Sequence, residues 1–148
     1  MQIDKMNELV YYSTSTQVHQ RMKRGAEMDF NSALPIYVQV MALIKREIVA
    51  GRMLPGSKLP SVREMAVSYT INPNTVSRVY RELELEGVCF TKRGMGTFVT
   101  EDEGRIARLR SEMASELVER FLEGMEQLGI SAEETLQMIR AEQEIRGS

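Results

Sequence analysis

Small polar and basic side chains are concentrated between residues 57 and 99, and they are of the types that contact the bases and phosphates of DNA. An asparagine amide can pair with adenine, an arginine can fork onto guanine or phosphate, and a serine or threonine hydroxyl can reach either. Their spacing predicts two short helices and then a glycine-tipped hairpin, an arrangement that can lay one helix in a groove of DNA. The candidate DNA-contacting residues are Arg63, Asn72, Asn74, Thr75, Ser77, Arg78, Lys92, Arg93 and Gly94.

The second short helix is predicted to span about residues 73–86, with Asn72 as its N-cap and a proline at its first position. Successive side chains turn by about 100°, so this helix has two distinct sectors. The polar sector holds Asn74, Ser77, Arg78 and Arg81, and the apolar sector opposite holds Val76, Val79, Tyr80 and Leu83. We expect the polar sector to be exposed. A plainer interpretation stays open for single residues, since the arginines could pair with nearby glutamates and Asn72 could act only as a cap.

Two other helices and a hairpin are predicted to position that helix. One helix spans about residues 35–50 with an apolar stripe at helical spacing, and the other spans about residues 61–69, where Ser61 and Glu64 form a capping box. The runs VCFT and GTFV are predicted strands, and KRGMG between them is the hairpin tip. Gly94 and Gly96 permit a tight turn beside a sugar–phosphate strand, although the same pattern is also typical of a simple turn.

Apolar residues recur every three or four positions after residue 105 and predict a helix of roughly seven turns. A glycine at 129 and a capping box of Ser131 and Glu134 then predict a second helix, so we expect a C-terminal helical hairpin. Its apolar faces are too long to be satisfied within two helices, which predicts a second copy of the chain as partner. The expected dimer interface comprises Leu109, Met113, Leu117, Phe121, Met125, Leu136 and Ile139.

Charge divides the chain, although the formal net charge is only −2. Residues 28–100 carry nine Lys/Arg and six Asp/Glu, whereas residues 101–148 carry six and twelve. The basic middle suits a polyanionic partner, and the acidic tail should turn away from it. We therefore predict a mainly α fold of three regions. Residues 1–27 form a flexible extension, residues 28–100 a winged helix-turn-helix DNA-binding domain with a small β-hairpin wing, and residues 101–148 a helical dimerisation region.

Several classes of protein are disfavoured by composition. Cys89 is the only cysteine and His19 the only histidine, so neither an intrachain disulfide nor a usual zinc site is expected. Cys89 is more typical of a buried strand residue than of a redox switch. No run approaches the ~20 apolar residues of a membrane span, and no signal peptide is predicted. We expect a cytoplasmic protein that has no cofactor. We also expect that it is not an enzyme, because no nucleophile–base pair can be assembled from its residues.

The segments PIYVQV at 35–40, GRMLPGSKLPSVREMA at 51–66, NPNTVSRVYRELELEG at 72–87 and RGMGTFV at 93–99 resemble the GntR family of bacterial transcription regulators. The resemblance covers about residues 34–100. The NPNTV…ELE.EG form and the short tail are similar to the YtrA-type subfamily. That resemblance implies a small dimeric repressor, often of transporter operons and of its own gene, with DNA contacts at Arg63, Asn72, Asn74, Thr75, Ser77, Arg93 and Gly94. Whether an effector binds is not implied.

Two functional hypotheses of different classes follow from the sequence. The first is a sequence-specific DNA-binding repressor whose two copies read a near-palindromic operator. The second is a protein-interaction adaptor that uses the winged helix as a scaffold, as the acidic and apolar-striped tail would allow. Retention on heparin or duplex DNA at low salt separates the two, because only the first predicts it. A basic arm formed by Arg21, Lys23 and Arg24 is a further possibility for the extension.

Overall fold

The computed structural model describes residues 32–148. Five helices and two strands follow one another along this part of the chain. They are α1 (Ile36–Val49), α2 (Val62–Tyr69), α3 (Pro73–Leu85), β1 (Cys89–Lys92), β2 (Gly96–Val99), α4 (Glu103–Gln127) and α5 (Ala132–Gly147). The predicted extension at 1–27 and its basic arm lie outside the described residues. The predicted fold class, a winged helix-turn-helix followed by two C-terminal helices, is confirmed.

The helix ends follow the capping signals in the sequence. Ser61 and Glu64 form the predicted capping box at the start of α2, with each side chain bonded to the other residue's backbone N–H. Asn72 caps α3 through its side-chain oxygen, and Pro73 stands at the first helical position. Pro35 differs slightly from expectation. Its ψ of 137° is extended, so it precedes α1 as the N-cap residue instead of beginning the helix.

The hydrophobic core of the DNA-binding region lies between the apolar faces of α1, α2 and α3. Its fully or almost fully buried side chains are Val40, Ile44, Leu59, Met65, Val76, Val79, Leu83, Val88 and Val99. The buried residues of α3 are the predicted apolar sector, which recurs every three or four residues. Burial of this sector fixes the rotation of α3 about its own axis, and its polar sector must then face solvent.

The hairpin β1–β2, called the wing below, is antiparallel with Cys89 opposite Val99 and Lys92 opposite Gly96. The segment preceding α2 runs along the other edge of β2. Leu59 N–H donates to the Thr97 carbonyl at 2.8 Å, and Val99 N–H donates to the Ser57 carbonyl at 2.8 Å. This third extended segment joins the wing to the start of α2, a connection that the sequence pattern did not predict.

The chain divides into two compact units, Met1–Leu109 and Arg110–Ser148, and the division falls within α4. In α5, Ser131 and Glu134 form the second predicted capping box. Thr135 is the one buried residue of α5, and its hydroxyl donates to the Ser131 carbonyl. The other side chains of this helix are exposed. Across residues 32–148, no helix combines the length and the apolar character needed to span a membrane.

Candidate nucleic-acid interface

The exposed face of α3 carries the side chains that the sequence predicts to read DNA. Asn72, Asn74, Ser77 and Arg78 are exposed, and Thr75 is partly exposed. Val76, Val79 and Leu83 on the opposite face have no exposed surface. The structure therefore places the predicted polar residues together on one surface of one helix. A helix that is anchored by a buried face and exposes short polar side chains on the other can enter a groove of DNA.

Asn72 has two roles that its geometry makes compatible. Its side-chain Oδ1 accepts a hydrogen bond from the backbone N–H of Asn74 at 2.8 Å, which caps α3 as predicted. The amide group of the same side chain still offers two N–H donors. Because Asn72 is exposed, those donors can reach an acceptor on DNA while the oxygen keeps the helix closed.

Arg78 lies over an aromatic ring of α1. Its guanidinium carbon is 3.7 Å from the centroid of the Tyr37 ring, a stacked cation–π contact. Within residues 32–148 no carboxylate forms an ion pair with Arg78 or Arg81. The structure therefore does not pair these two arginines with Glu82 or Glu84, which was the alternative interpretation of their charges.

Arg63 is an exposed residue of the first turn of α2. The capping box at Ser61 and the burial of Met65 and Ala66 fix the rotation of this helix. Tyr80 of α3 adds a tether, because its hydroxyl donates to the Pro60 carbonyl just before α2. The two short helices are thus held against one another by packing and by a hydrogen bond, which leaves the Arg63 guanidinium in solvent.

The tip of the wing is a tight turn that presents basic side chains. Met95 N–H donates to the Lys92 carbonyl at 2.9 Å, with Arg93 and Gly94 between them. Gly94 has a φ of +76°, in the left-handed region that glycine adopts without strain. Arg93 is exposed, and the Lys92 ammonium lies 5.3 Å and 5.6 Å from the rings of Phe98 and Phe90. The exposed tip therefore carries two cations on a backbone that can approach a phosphate strand.

Two residues outside the predicted set help to position the wing. The Glu84 carboxylate of α3 accepts a hydrogen bond from the Thr91 N–H of β1 at 3.0 Å. The Lys58 side chain lies beside Gly96 of β2, and the backbone of Lys58 forms an isolated antiparallel β-bridge with that of Phe98. Sequence reasoning missed both, because each contact joins residues that no helical or strand period relates. Lys58 in addition places a third exposed cation beside the wing.

The C-terminal end of α3 is fixed to two neighbouring elements. The Glu86 carboxylate pairs with Lys45 of α1, and the Glu86 carbonyl accepts a hydrogen bond from Arg105 Nε of α4 at 2.9 Å. Both partners are cations near the negative end of the helix dipole, where positive charge is favourable. The exposed face of α3 is therefore held at both ends, and little reorganisation is needed before it meets a ligand.

Buried ionisable groups lie beneath this surface and stay neutral. Burial raises the pKa of the Cys89 thiol to about 12, with a smaller contribution from the Glu84 carboxylate. Burial also raises the pKa of Tyr80 above its ordinary range, and the charges of neighbouring acidic groups add to that effect. Among residues 32–148, no three His, Cys, Asp or Glu side chains are grouped so that they could hold a metal ion.

The sequence model of the bacterial regulatory proteins of the gntR family matches residues 36–99, which include the whole of α1, α2, α3 and the wing. A Bacillus subtilis protein described as an uncharacterized HTH-type transcriptional regulator, YhcF, is 42% identical over 111 residues. That alignment covers 75% of this chain and 92% of YhcF. The chain belongs to the GntR family.

Other similar proteins include short regulators and solved structures. The HTH-type transcriptional repressor YtrA of Bacillus subtilis is 39% identical over 106 residues, which cover 68% of this chain and 82% of YtrA. A GntR family transcriptional regulator from Listeria monocytogenes has a structure that matches with a TM-score of 0.71 and 40% identity, over 76% of this chain and 98% of that one. The structure of a transcriptional regulator from Oenococcus oeni matches with a TM-score of 0.63 and 29% identity, over 77% of this chain and 95% of that one.

Membership of this family establishes the general role of the chain. It is a DNA-binding transcription regulator of the winged helix-turn-helix type and not an enzyme. It is similar to the short YhcF- and YtrA-type regulators over most of its length. The family model ends with the wing at residue 99, so it does not include α4 and α5.

Proposed function

We propose that this GntR-family chain is a homodimeric repressor that binds an inverted-repeat operator. The observation that carries the proposal is the division of α3 into a buried apolar face and an exposed face of Asn74, Ser77 and Arg78, with the exposed Asn72 as its N-cap. Thr75, Arg63 and the wing residues Lys92, Arg93 and Gly94 complete the proposed contact surface. Short polar groups at the start of α3 would read base edges, while the basic side chains would contact phosphate.

The proposal of repression rests on similarity. YtrA of Bacillus subtilis, which aligns with 68% of this chain, is described as a transcriptional repressor. A protein that covers a promoter can prevent transcription by occupancy alone, without a contact to polymerase. By resemblance to the YtrA-type subfamily, a transporter operon and the chain's own gene are the proposed targets. Because such a target is chromosomal DNA, the proposed compartment is the cytoplasm.

The proposal of a dimer rests on apolar side chains in the second unit. Leu117, Phe121, Leu136 and Ile139 are between 39% and 62% exposed, and Met113 and Met125 are partly exposed. Leu109, also part of the predicted interface, is already buried within the first unit. Exposed apolar stripes on two successive helices are typical of a surface that a partner covers. Pairing of two chains through the other six residues would present two α3 helices to one operator.

The test measures binding of the full chain to a duplex that the wild-type protein selects from a randomised pool. Arg63→Ala and Arg93→Ala should each weaken binding by about tenfold, because each removes a charge-assisted contact. They should also leave the folded state intact, since both side chains are exposed. Arg46→Ala is the matched control, because it removes the same charge from the exposed surface of α1.

Two outcomes would contradict the proposal. If the wild-type chain selects no duplex and is not retained on heparin at low salt, sequence-specific binding is wrong and the adaptor hypothesis is favoured. If a duplex is selected but Arg63→Ala and Arg93→Ala bind it as tightly as Arg46→Ala does, the proposed contact surface is wrong. If a duplex is selected, the affinity for it should decrease as the salt concentration rises, whichever surface contacts the DNA.

A further inference from the structure

Arg78 is a proposed DNA-contacting residue whose side chain contacts a second helix, α1. Its guanidinium carbon stands 3.7 Å from the centre of the Tyr37 ring, close to the separation of two stacked planar groups. Tyr37 belongs to the first turn of α1 and is itself partly buried, whereas Arg78 is exposed. A long arginine side chain that would otherwise sample many rotamers thus lies on a ring that is itself partly buried.

The stack leaves the hydrogen-bonding edge of the guanidinium unoccupied. Stacking uses the flat face of the group, while its five N–H donors point outward in the plane. No carboxylate within residues 32–148 pairs with Arg78. An exposed arginine in this state has its charge and its donors available for an incoming anion, and a phosphate can accept two of those N–H groups at once.

The position of the stack distinguishes a phosphate from a base. Asn72 and Asn74 project from the start of α3, whereas Arg78 is one helical turn further along and leans sideways onto α1. A side chain held against a flanking helix lies at the edge of the surface that would enter a groove, where the sugar–phosphate strands run. Contacts of that kind fix the orientation of a protein on DNA without reading its sequence.

We propose that Tyr37 is a positioning residue that holds the Arg78 guanidinium ready to bind a backbone phosphate of the operator. This inference rests on the proposed function. The ring restricts Arg78 before DNA arrives, so less side-chain freedom is lost on binding. Tyr37 acts through Arg78 and does not itself read the DNA. The contribution of the tyrosine should therefore depend on the arginine being present.

The experiment is a double-mutant cycle on the full chain, with a duplex that the wild type selects from a randomised pool as the probe. Arg78→Ala should raise Kd by about tenfold and reduce the slope of log affinity against log salt by about one. Tyr37→Leu, which keeps apolar bulk but has no π face, should raise Kd by about three- to fivefold with the salt slope kept. Tyr37→Phe, which keeps the ring, should bind with the wild-type Kd. In the Arg78→Ala background, Tyr37→Leu should not raise the Kd further.

Several results would overturn the inference. A loss from Tyr37→Leu that is as large in the Arg78→Ala background would show that the tyrosine acts independently. A loss from Tyr37→Phe equal to that from Tyr37→Leu would assign the effect to the hydroxyl. An Arg78→Ala penalty that vanishes on changing one base pair would mean that Arg78 reads a base. Thermal unfolding of each variant separates these results from loss of fold. Selection of no duplex by the wild type would instead be a failure of the proposed function.

Discussion

The Lys58 side chain occupies the space in which any residue other than glycine at position 96 would place its Cβ atom. A Cβ built on Gly96 would stand 2.6 Å from Lys58 Cε, closer than non-bonded carbon atoms approach, so the end of the lysine side chain would have to move. Gly96 also has a φ of +124°, a conformation that side chains with a Cβ rarely adopt. The lysine side chain thus lies against β2 next to the tip of the wing, in space that the absence of a side chain at residue 96 leaves open.

This relationship predicts that Gly96→Ala disturbs the wing. The substitution puts a side chain on a backbone at φ +124° and displaces the flexible end of Lys58. We expect the free energy of unfolding to fall by about 2 kcal/mol, mostly because of the backbone strain. DNA affinity should fall as well, because the wing residues would shift. Urea unfolding of the variant measures the first effect, and titration of a selected duplex measures the second.

Gly94→Ala is the matched control within the same hairpin. Gly94 also has a positive φ, +76°, but no atom lies within 4 Å of a Cβ built there. We expect a loss of only about 1 kcal/mol, from the left-handed conformation alone. The added variant Lys58→Ala should recover part of the loss in Gly96→Ala and none of the loss in Gly94→Ala. If Lys58→Ala recovers nothing in the Gly96→Ala background, the proposed clash is wrong.

Two buried tyrosines should respond in opposite ways to loss of their hydroxyl. The Tyr80 hydroxyl donates to the Pro60 carbonyl and joins α3 to the start of α2. The Tyr69 hydroxyl is buried without a hydrogen-bond partner in residues 32–148. Tyr80→Phe should therefore cost about 1 kcal/mol, while Tyr69→Phe should be neutral or slightly stabilising. Parallel chemical unfolding of the two variants decides, and a larger loss from Tyr69→Phe would be inconsistent with these hydrogen bonds.

The Cys89 thiol gives the folded chain a pH dependence whose sign can be stated. Burial raises its pKa from 9.0 to about 12, so the folded state keeps the proton that the unfolded chain loses above about pH 9. The corresponding stability is fully present below pH 9 and is lost as pH rises towards 12. Cys89→Ala should show a shallower loss of stability over that interval than wild type. Identical slopes, measured by urea unfolding at several pH values, would contradict the burial of the thiol.

Much of the DNA-binding unit could be predicted because its signals are local. The burial of Val76, Val79 and Leu83 follows from helical period, and the caps at Ser61 and Asn72 follow from residue type at a helix start. Each of these signals is contained within a few consecutive residues. The rotation of α3, and with it the identity of its exposed face, was therefore accessible from the sequence.

The contacts between elements at the candidate site could not be predicted from the sequence. Tyr37 and Arg78, Lys58 and Gly96, and Glu84 and Thr91 each belong to different elements. Their proximity depends on how those elements pack, which no single periodicity encodes. The tail gives a related lesson. Leu109 and Leu117 belong to the same apolar stripe, yet Leu109 is buried and Leu117 is 62% exposed, a difference that helical periodicity alone does not predict.

The proposed dimer predicts that a charge on the apolar stripe of α4 separates the two copies. Leu117 and Phe121 are 62% and 47% exposed, so Leu117→Lys or Phe121→Lys should not unfold the single chain. In a dimer each lysine would instead be taken out of water without a partner. We expect dissociation at micromolar concentration, observed by sedimentation, with operator affinity weakened by about tenfold or more as one of the two reading helices is lost.

Ser115→Lys adds the same charge to the opposite side of α4, because residues two positions apart, such as Ser115 and Leu117, point about 200° apart around a helix. Ser115 is also exposed, so the control is matched in charge, helix and accessibility. It should sediment and bind DNA as wild type does. If Leu117→Lys and Phe121→Lys also remain dimeric, the copies pair through another surface. If Ser115→Lys dissociates as well, the effect is one of net charge, and the stripe has no special part in assembly.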